Sequence, residues 1–168
     1  KSPGDVSDYR RQLDLETGES LTKFKGVQQR VFSSRIHNIN VIQLKGNKLD
    51  LALLLRETPG RRRSIKGVAL ANYTKTPRVT ADDGWMYYDV QYGMDPGGYE
   101  GVARVTVKGG KVSAEGEGLA VFGADEVLIL IRVVAKKDGG VSKRDAIKKV
   151  LEKLPTNYEK LFRPHAKK

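Results

Sequence analysis

The sequence predicts a mainly β protein, an antiparallel sandwich or barrel, followed by a helical segment near its C-terminal end. Three observations predict this class. Short runs rich in β-branched and aromatic residues follow one another up to about residue 135, with Gly, Asn or Asp turn signals between them. No helical pattern separates these runs, as it would in βαβ units. After Gly140 the apolar residues change to helical spacing.

The first half of the chain reads as a series of strands. A turn at Thr17-Gly18 precedes the strand "SLTKFKG". The long run "VQQRVFSSRIHNINVIQLKG" is predicted to bend near His37 and Asn38. The run "NKLDLALLLRET" begins with alternating leucines and then becomes continuously apolar, and "ETPGRRRS" is predicted to be a loop because of its Pro-Gly pair.

The aromatic run "GWMYYDVQYG" predicts a further strand. If that strand is regular, Trp85, Tyr87 and Asp89 share one face, whereas Met86 and Tyr88 share the other. The second set is the more apolar, so it is predicted to face the core. Trp85 and Tyr87 are therefore expected on the more polar side of the sheet.

A meander is predicted in "EGVARVTVKGGKVSAEGEGLAVFG", with Gly109-Gly110 as a tight hairpin turn and Gly116 and Gly118 at the next reversal. The next strand, "GADEVLILIRVV", is apolar at every position from Val127 to Ile131. A strand without polar alternation is typical of one covered on both faces. An opposing sheet and the C-terminal helix are the expected covers.

Two helices are predicted after Gly140. Ser142 and Asp145 fit a capping box at the start of the first. Its apolar stripe is formed by Ile147, Val150, Leu151 and Leu154. Pro155 ends this helix, Thr156 is the predicted cap of the second, and Pro164 is expected to break or kink that second helix.

Composition narrows the classes of function. The chain has 168 residues, no cysteine, 39% hydrophobic residues and a net charge of +11. Disulfides, thiolate metal sites and a cysteine nucleophile are thereby excluded. No apolar run is long enough to predict a membrane span, no signal peptide is visible, and no cofactor motif is found. From Lys136 to Lys168 there are 11 Lys and Arg residues against 4 Asp and Glu residues, so binding of a polyanion through this basic segment is one open alternative.

No catalytic residue is predicted. His37 and His165 lie far apart and match no metal-ligand spacing, so no metal site is expected. Asp125 and Glu126 are adjacent, so in an extended strand they point to opposite faces and cannot converge on one glycosidic bond. Of the other carboxylate pairs, Glu115 and Glu117 flank a turn glycine, and Asp82-Asp83 lies in a predicted turn.

Aromatic residues are the remaining candidates for ligand contact. Trp85, Tyr87 and Tyr99 are predicted to contribute to a platform for sugar rings, although aromatic residues on a sheet are more often packed inside the protein. A stand-alone carbohydrate-binding module is therefore a second alternative. Binding of nucleic acid is not favoured.

Several segments together carry a family resemblance: "DYRRQLDLETGES", "GVQQRVFSSRIHNINVIQLKG", the "GADEVLILIRV" region and "NYEKLFRPHAKK". In this order they resemble the N-terminal domain of glycoside hydrolase family 95, the α-L-fucosidase and α-L-galactosidase type, which is related to the N-terminal domain of family 65. The most distinctive pieces are Tyr9 to Gly18 and Gly123 to Glu126.

That resemblance implies an antiparallel, supersandwich-like β-sandwich over residues 1–140 and a helical linker over residues 141–168. The linker would lead to an (α/α)6 catalytic barrel that is absent from this sequence. The function so implied is a non-catalytic domain that supports the barrel and lends a loop to the substrate cleft. A secreted or periplasmic location is implied by the resemblance alone. The chain is accordingly expected to be part of a longer enzyme and not to be an enzyme by itself.

Overall fold

Nine strands and two helices make up the part of the protein that the structure, a computed structural model, describes: residues 8–56, 74–93, 96–137 and 141–167. The strands are β1 (Arg10–Leu13), β2 (Ser20–Phe24), β3 (Val27–Ser34), β4 (Ile39–Leu53), β5 (Arg78–Asp82), β6 (Trp85–Gln91), β7 (Gly98–Lys108), β8 (Lys111–Glu115) and β9 (Gly118–Lys136). The helices are α1 (Arg144–Glu152) and α2 (Tyr158–Ala166).

All nine strands belong to one antiparallel sheet, in the order β1-β2-β3-β4-β9-β7-β6-β5, with β8 paired to β9. The sheet curls so that its far edge, β5, packs against β8 and β9. This curl gives two facing layers within one sheet. The predicted antiparallel, sandwich-like β architecture with helices at its C-terminal end is confirmed.

Strand β9 separates two apolar clusters. Leu128 and Leu130 belong to the helix-side cluster, which lies between the sheet and the two helices, whereas Val127 and Ile129 belong to the inner cluster on the opposite face. The other buried members of the helix-side cluster are Phe32, Ile39, Val41, Tyr87, Val102, Ile147, Leu151, Tyr158 and Leu161. The other buried members of the inner cluster are Leu49, Met86, Ala103, Val105, Leu119, Val121 and Ala124. The expectation that both faces of this strand are covered is confirmed.

The predicted hairpin at Gly109-Gly110 is wrong. Strand β7 pairs with β9 from Gly98 opposite Lys136 to Lys108 opposite Glu126, and β8 then continues along the same side of β9. The two glycines form an irregularity between β7 and β8, which follow each other along one side of β9. Both glycines have positive φ (67° and 63°). A Cβ on Gly110 would collide with the carbonyl oxygen of Phe122, so the close approach of this segment to β9 requires glycine.

The other turn predictions that fall on described residues are confirmed. Turns lie at Thr17-Gly18, at His37-Asn38 between β3 and β4, and at Gly116 between β8 and β9. Asp83-Gly84 forms the two-residue turn between β5 and β6, with Asp82 opposite Trp85. The predicted loop "ETPGRRRS" lies outside the described residues.

The helices begin one residue later than predicted. Lys143 occupies the N-cap of α1 and makes no side-chain capping bond, although the Ser142 hydroxyl accepts a hydrogen bond from the Arg144 N–H at 3.2 Å. Asn157, not Thr156, caps α2, because its side-chain oxygen accepts a hydrogen bond from the Lys160 N–H at 3.1 Å. Helix α2 also continues through Pro164 to Ala166, so the proline does not break it.

The apolar stripe of α1 is narrower than predicted. Ile147 and Leu151 are buried against the sheet and Leu154 packs beside them, but Val150 is 38% exposed. Val150 lies at the edge of the stripe, where the curved helix surface turns away from the sheet.

The two neighbouring residues of α1 provide a matched test of this packing. Leu151→Ala is expected to lower the free energy of unfolding by about 2–5 kcal/mol, because it removes a side chain with no exposed surface from the helix-side cluster. Val150→Ala is expected to change it by less than about 0.5 kcal/mol. Urea denaturation followed by circular dichroism measures both values. Equal losses for the two variants would contradict this packing.

Candidate functional site

The face of the sheet covered by α1 and α2 is the first candidate functional region. Arg104, on β7, reaches the C-terminal end of α1. Its Nη1 atom lies 2.9, 3.2 and 3.3 Å from the carbonyl oxygens of Leu151, Glu152 and Leu154. These carbonyl groups lie at and just beyond the last turn of α1, so a cation there complements the helix dipole. The turn between the helices is thereby fixed to the sheet.

The start of α1 is held by a buried carboxylate. Glu100 on β7 is 3% exposed, and its Oε2 atom accepts a hydrogen bond from the Lys143 N–H at 2.7 Å. A negative charge at the first turn of a helix is favourable for the same electrostatic reason that a cation is at the last turn. Strand β7 therefore supplies a polar contact to each end of α1.

Helix α2 is fixed by a buried polar cluster around Tyr158. The Tyr158 hydroxyl donates a hydrogen bond to the Glu19 carboxylate at 2.6 Å. Arg30 pairs with Glu19 at 2.7 Å and with Glu159 at 2.5 Å, and its guanidinium lies 4.2 Å from the centre of the Tyr158 ring. Burial raises the pKa of Tyr158 well above its usual value, and the adjacent Glu19 raises it further. Tyr158 is therefore a hydrogen-bond donor at every physiological pH.

His165 completes this attachment and is buried. Its Nε2 atom lies 2.7 Å from the carbonyl oxygen of Thr17, which can only accept, so the ring nitrogen is the donor. The Nδ1 atom then accepts a hydrogen bond from the Arg35 N–H at 3.5 Å. The ring also stacks on Phe32 with centroids 4.8 Å apart. His165 therefore holds α2 to two turns of the sheet, one at Thr17 and one at Arg35.

Trp85 and Tyr87 lie on this same covered face. Tyr87 is 5% exposed within the helix-side cluster, and Trp85 is partly buried beside it. Both lie on the face opposite Met86, as the strand pattern predicts, but α1 covers that face. Cations occupy their ring faces: Arg144 lies 3.4 Å from the Tyr87 ring centre, and Lys148 lies 5.0 Å from the Trp85 ring centre. The Tyr87 hydroxyl raises the pKa of Lys148.

Tyr99 lies elsewhere, on the other face of the sheet, so the structure does not bring the three predicted sugar-contact residues together. Its ring stacks on Tyr88, with centroids 5.7 Å apart and an interplanar angle of 16°. Tyr92 lies 6.2 Å away at a tilt of 50°. An open cavity of about 200 Å³ lies at these rings, and we call it the tyrosine cleft; it is lined by Leu55, Arg56, Tyr88, Tyr99, Gly101 and Val133.

Asp125 and Glu126, although adjacent, have different surroundings. Asp125 is exposed, whereas Glu126 is 9% exposed and accepts hydrogen bonds from Lys108 at 3.0 Å and from Gln43 at 2.8 Å. Burial raises the pKa of Glu126, but the hydrogen bonds from Lys108 and Gln43 and the lysine charges outweigh it, so the pKa lies below its usual value. An ionised, ion-paired carboxylate of this kind supports the structure and is a poor general acid.

Sequence reasoning missed one carboxylate pair, Asp89 and Glu100. They stand directly opposite each other on β6 and β7, so their Cβ atoms are about 4.5–5.5 Å apart. Both have partners, since Asp89 pairs with Lys136 and Glu100 bonds the start of α1. They line a polar cavity of about 140 Å³ together with Arg78 and Arg144. Strand register alone brings them together, and no spacing in the sequence signals it.

Metal ligands and membrane-spanning helices were sought in the described residues. No group of three or more His, Asp or Glu side chains within these ranges is arranged to hold a metal ion. None of the helices in this part of the chain is long and apolar enough to cross a bilayer.

Comparison with known protein families gives the decisive match. The family model of the glycosyl hydrolase family 65 N-terminal domain matches residues 1–138, which is most of the chain. The chain belongs to this family. The expectation of an N-terminal domain from a glycoside hydrolase is thus confirmed. The match names family 65, the related family, rather than family 95.

Solved structures support the same fold for this family 65 N-terminal domain. A protein described as a kojibiose phosphorylase from the human microbiome superposes with a TM-score of 0.63 at 14% identity. The match covers 97% of this chain and 24% of that protein, so the chain spans about a quarter of the length of its structural relative. No curated protein matches the sequence.

Glu126→Gln tests the structural role of this carboxylate through pH. Because the folded pKa of Glu126 is lowered, its ionised form stabilises the protein above the unfolded pKa of about 4.3, and this contribution is lost as the pH falls further. The variant is expected to lose about 1 kcal/mol of unfolding free energy at pH 7. Its difference from the wild type should shrink below about pH 4. Asp125→Asn, at the exposed neighbour, is the control in the same urea titrations, and a difference for Glu126→Gln that is constant from pH 7 to pH 3 would contradict this role.

Proposed function

We propose that this chain is the non-catalytic N-terminal domain of a carbohydrate-active enzyme and that its two helices fix the position of an (α/α)6 catalytic barrel. The family match supports the first part. The observation that carries the second is the attachment of α1 and α2 to the sheet: Ile147, Leu151, Tyr158 and Leu161 are each at most 3% exposed. A linker that shares a core with its own domain transmits that domain's orientation to the neighbouring domain.

The polar contacts determine how the two helices are oriented on the sheet. Apolar burial alone allows a helix to slide or rotate on a sheet, because the hydrophobic effect is non-directional. Arg104 at one end of α1 and Glu100 at its other end define both its axial position and its rotation. Glu19 and Arg30 do the same for Tyr158 on α2. The division of the chain into a sandwich over 1–140 and a linker over 141–168 stays a prediction.

Two substrate classes are proposed for the parent enzyme. The sequence resemblance to family 95 favours hydrolysis of α-L-fucosides or α-L-galactosides. The structural relative favours phosphorolysis of kojibiose, an activity that its name gives to that protein. The alternatives of a stand-alone carbohydrate-binding module and of a polyanion-binding protein stay predictions. The second has support in the exposed cations of both helices, which include Lys149, Lys153, Lys160 and Arg163.

Activity assays separate these possibilities. The 168-residue chain is expected to hydrolyse no aryl α-L-fucoside and to release no sugar phosphate from kojibiose. A longer protein that contains this chain and a barrel is expected to catalyse one of the two reactions, and Asp125→Asn should leave that activity unchanged because Asp125 is an exposed scaffold residue. Turnover by the purified chain that disappears in Asp125→Asn or Glu126→Gln would overturn the non-catalytic role.

Arg104→Met tests the orientation role directly. The substitution keeps an unbranched side chain over Trp85 but leaves the carbonyl groups of Leu151, Glu152 and Leu154 without their charged donor. We expect a loss of about 1.5–3 kcal/mol and faster amide hydrogen exchange in α1 and the following turn. Arg11→Met, on the exposed edge strand β1, is the matched control. Unchanged exchange in α1 would show that Arg104 does not fix the helix.

A further inference from the structure

The tyrosine cleft combines aromatic, aliphatic and charged residues around an open cavity. One wall is the stacked pair of Tyr88 and Tyr99 on neighbouring strands. Val133 on β9 forms the opposite side and is 50% exposed. Arg56, which is exposed, is the charged residue among the described residues of the lining. Its volume of about 200 Å³ is below the roughly 300–1,000 Å³ of pockets for drug-sized ligands, so it has room for a single ring.

Glycine keeps the floor of the cleft open. Gly101 stands on β7 opposite Tyr88 on β6 and Val133 on β9. A Cβ at this position would meet Val133, Tyr88 and Leu55 at 3.6, 3.7 and 3.9 Å, which are ordinary van der Waals distances. A Cβ atom is therefore sterically acceptable here, and further side-chain atoms would extend toward the cleft that Gly101 lines. The open floor results from the residue type and not from a constraint of the fold.

The lining selects a ligand that is apolar on its faces and polar on its rim. Aromatic rings present flat apolar surfaces, whereas the guanidinium of Arg56 offers several N–H donors in one plane. A pyranose ring matches this pattern, since its C–H groups form an apolar face and its hydroxyl groups surround the edge. Tyr92, which is 38% exposed and 6.2 Å from Tyr99, extends the aromatic surface beyond the cleft. A second sugar of an oligosaccharide would contact that extension.

We propose that the tyrosine cleft is a carbohydrate subsite of this domain, which takes one pyranose ring of a neutral oligosaccharide against Tyr99. The subsite rests on the proposed function, because membership of a glycosyl hydrolase family makes oligosaccharides the ligands that the parent enzyme meets. It replaces the predicted platform: Tyr99 keeps its role, whereas Trp85 and Tyr87 contact α1. The cleft and the helices lie on opposite faces of the sheet, so a sugar bound there leaves the attachment of the helices undisturbed.

Saturation-transfer NMR on the 168-residue chain tests the subsite, with kojibiose and 2′-fucosyllactose as the two probes. Saturation is expected to reach the ring C–H protons of at least one probe. Tyr99→Ala should weaken its binding about 5- to 10-fold, the loss of one aromatic contact. Gly101→Val should weaken it by about tenfold or more, because it fills the floor. Tyr9→Ala removes a tyrosine that is 55% exposed and outside the cleft, and it should have no effect.

The two variants make the outcome independent of any effect on folding. Tyr99→Ala removes part of the stack with Tyr88, whereas Gly101→Val adds atoms and removes no aromatic ring. The unfolding free energy of both variants is measured alongside. The absence of saturation transfer to both probes from the wild-type chain would overturn the subsite. So would binding that neither variant weakens. Failure of the subsite in this experiment leaves the scaffold role intact, because Arg104→Met tests that role separately.

Discussion

The fold depends on the burial of both faces of β9. This strand pairs with β4 on one side and with β7 and β8 on the other, so neither of its edges is free over most of its length. Leu128 and Leu130 contribute to the cluster beneath the helices, and Val127 and Ile129 contribute to the cluster inside the curled sheet. Burial of four such side chains contributes about 1.5–3 kcal/mol each. Residues 127–130 therefore join the cluster beneath the helices to the cluster inside the curled sheet.

The periodicities of the sequence determine much of this arrangement. Uninterrupted apolar residues from Val127 to Ile131 indicate a strand covered twice, and the spacing of Ile147 and Leu151 indicates a helix with one apolar face. Both patterns depend only on local geometry, which is why they could be recognised without the structure. The edge of the α1 stripe at Val150 could not, because tertiary packing, and not local spacing alone, determines how much of a helix face a sheet covers.

Features that depend on strand register could not be predicted from the sequence. A Gly-Gly pair can close a hairpin or can join two strands that both pair with a third strand. The residues that face the pair decide between these cases, and Gly110 faces Phe122 and Gly123. The same holds for the candidate site. Tyr99 is visible in the sequence, but the cleft around it needs Gly101 beside it and Val133 from β9. The alternation along β6 predicts that Trp85 and Tyr87 share the more polar face, but only the folded chain shows that α1 covers that face.

The contacts at the two ends of α1 restrict how such a domain can be recombined with others. Arg104 and Glu100 are side chains of one strand that bond backbone groups of the helical segment. Because the partners are backbone groups, substitution of the exposed side chains of α1 leaves these bonds in place. A chimera that joins these helices to a different sandwich would need both charges at the same positions on its receiving strand. A junction placed after α2 would carry the whole arrangement intact, so modular exchange of catalytic domains is simpler at that point than at the boundary between sheet and helices.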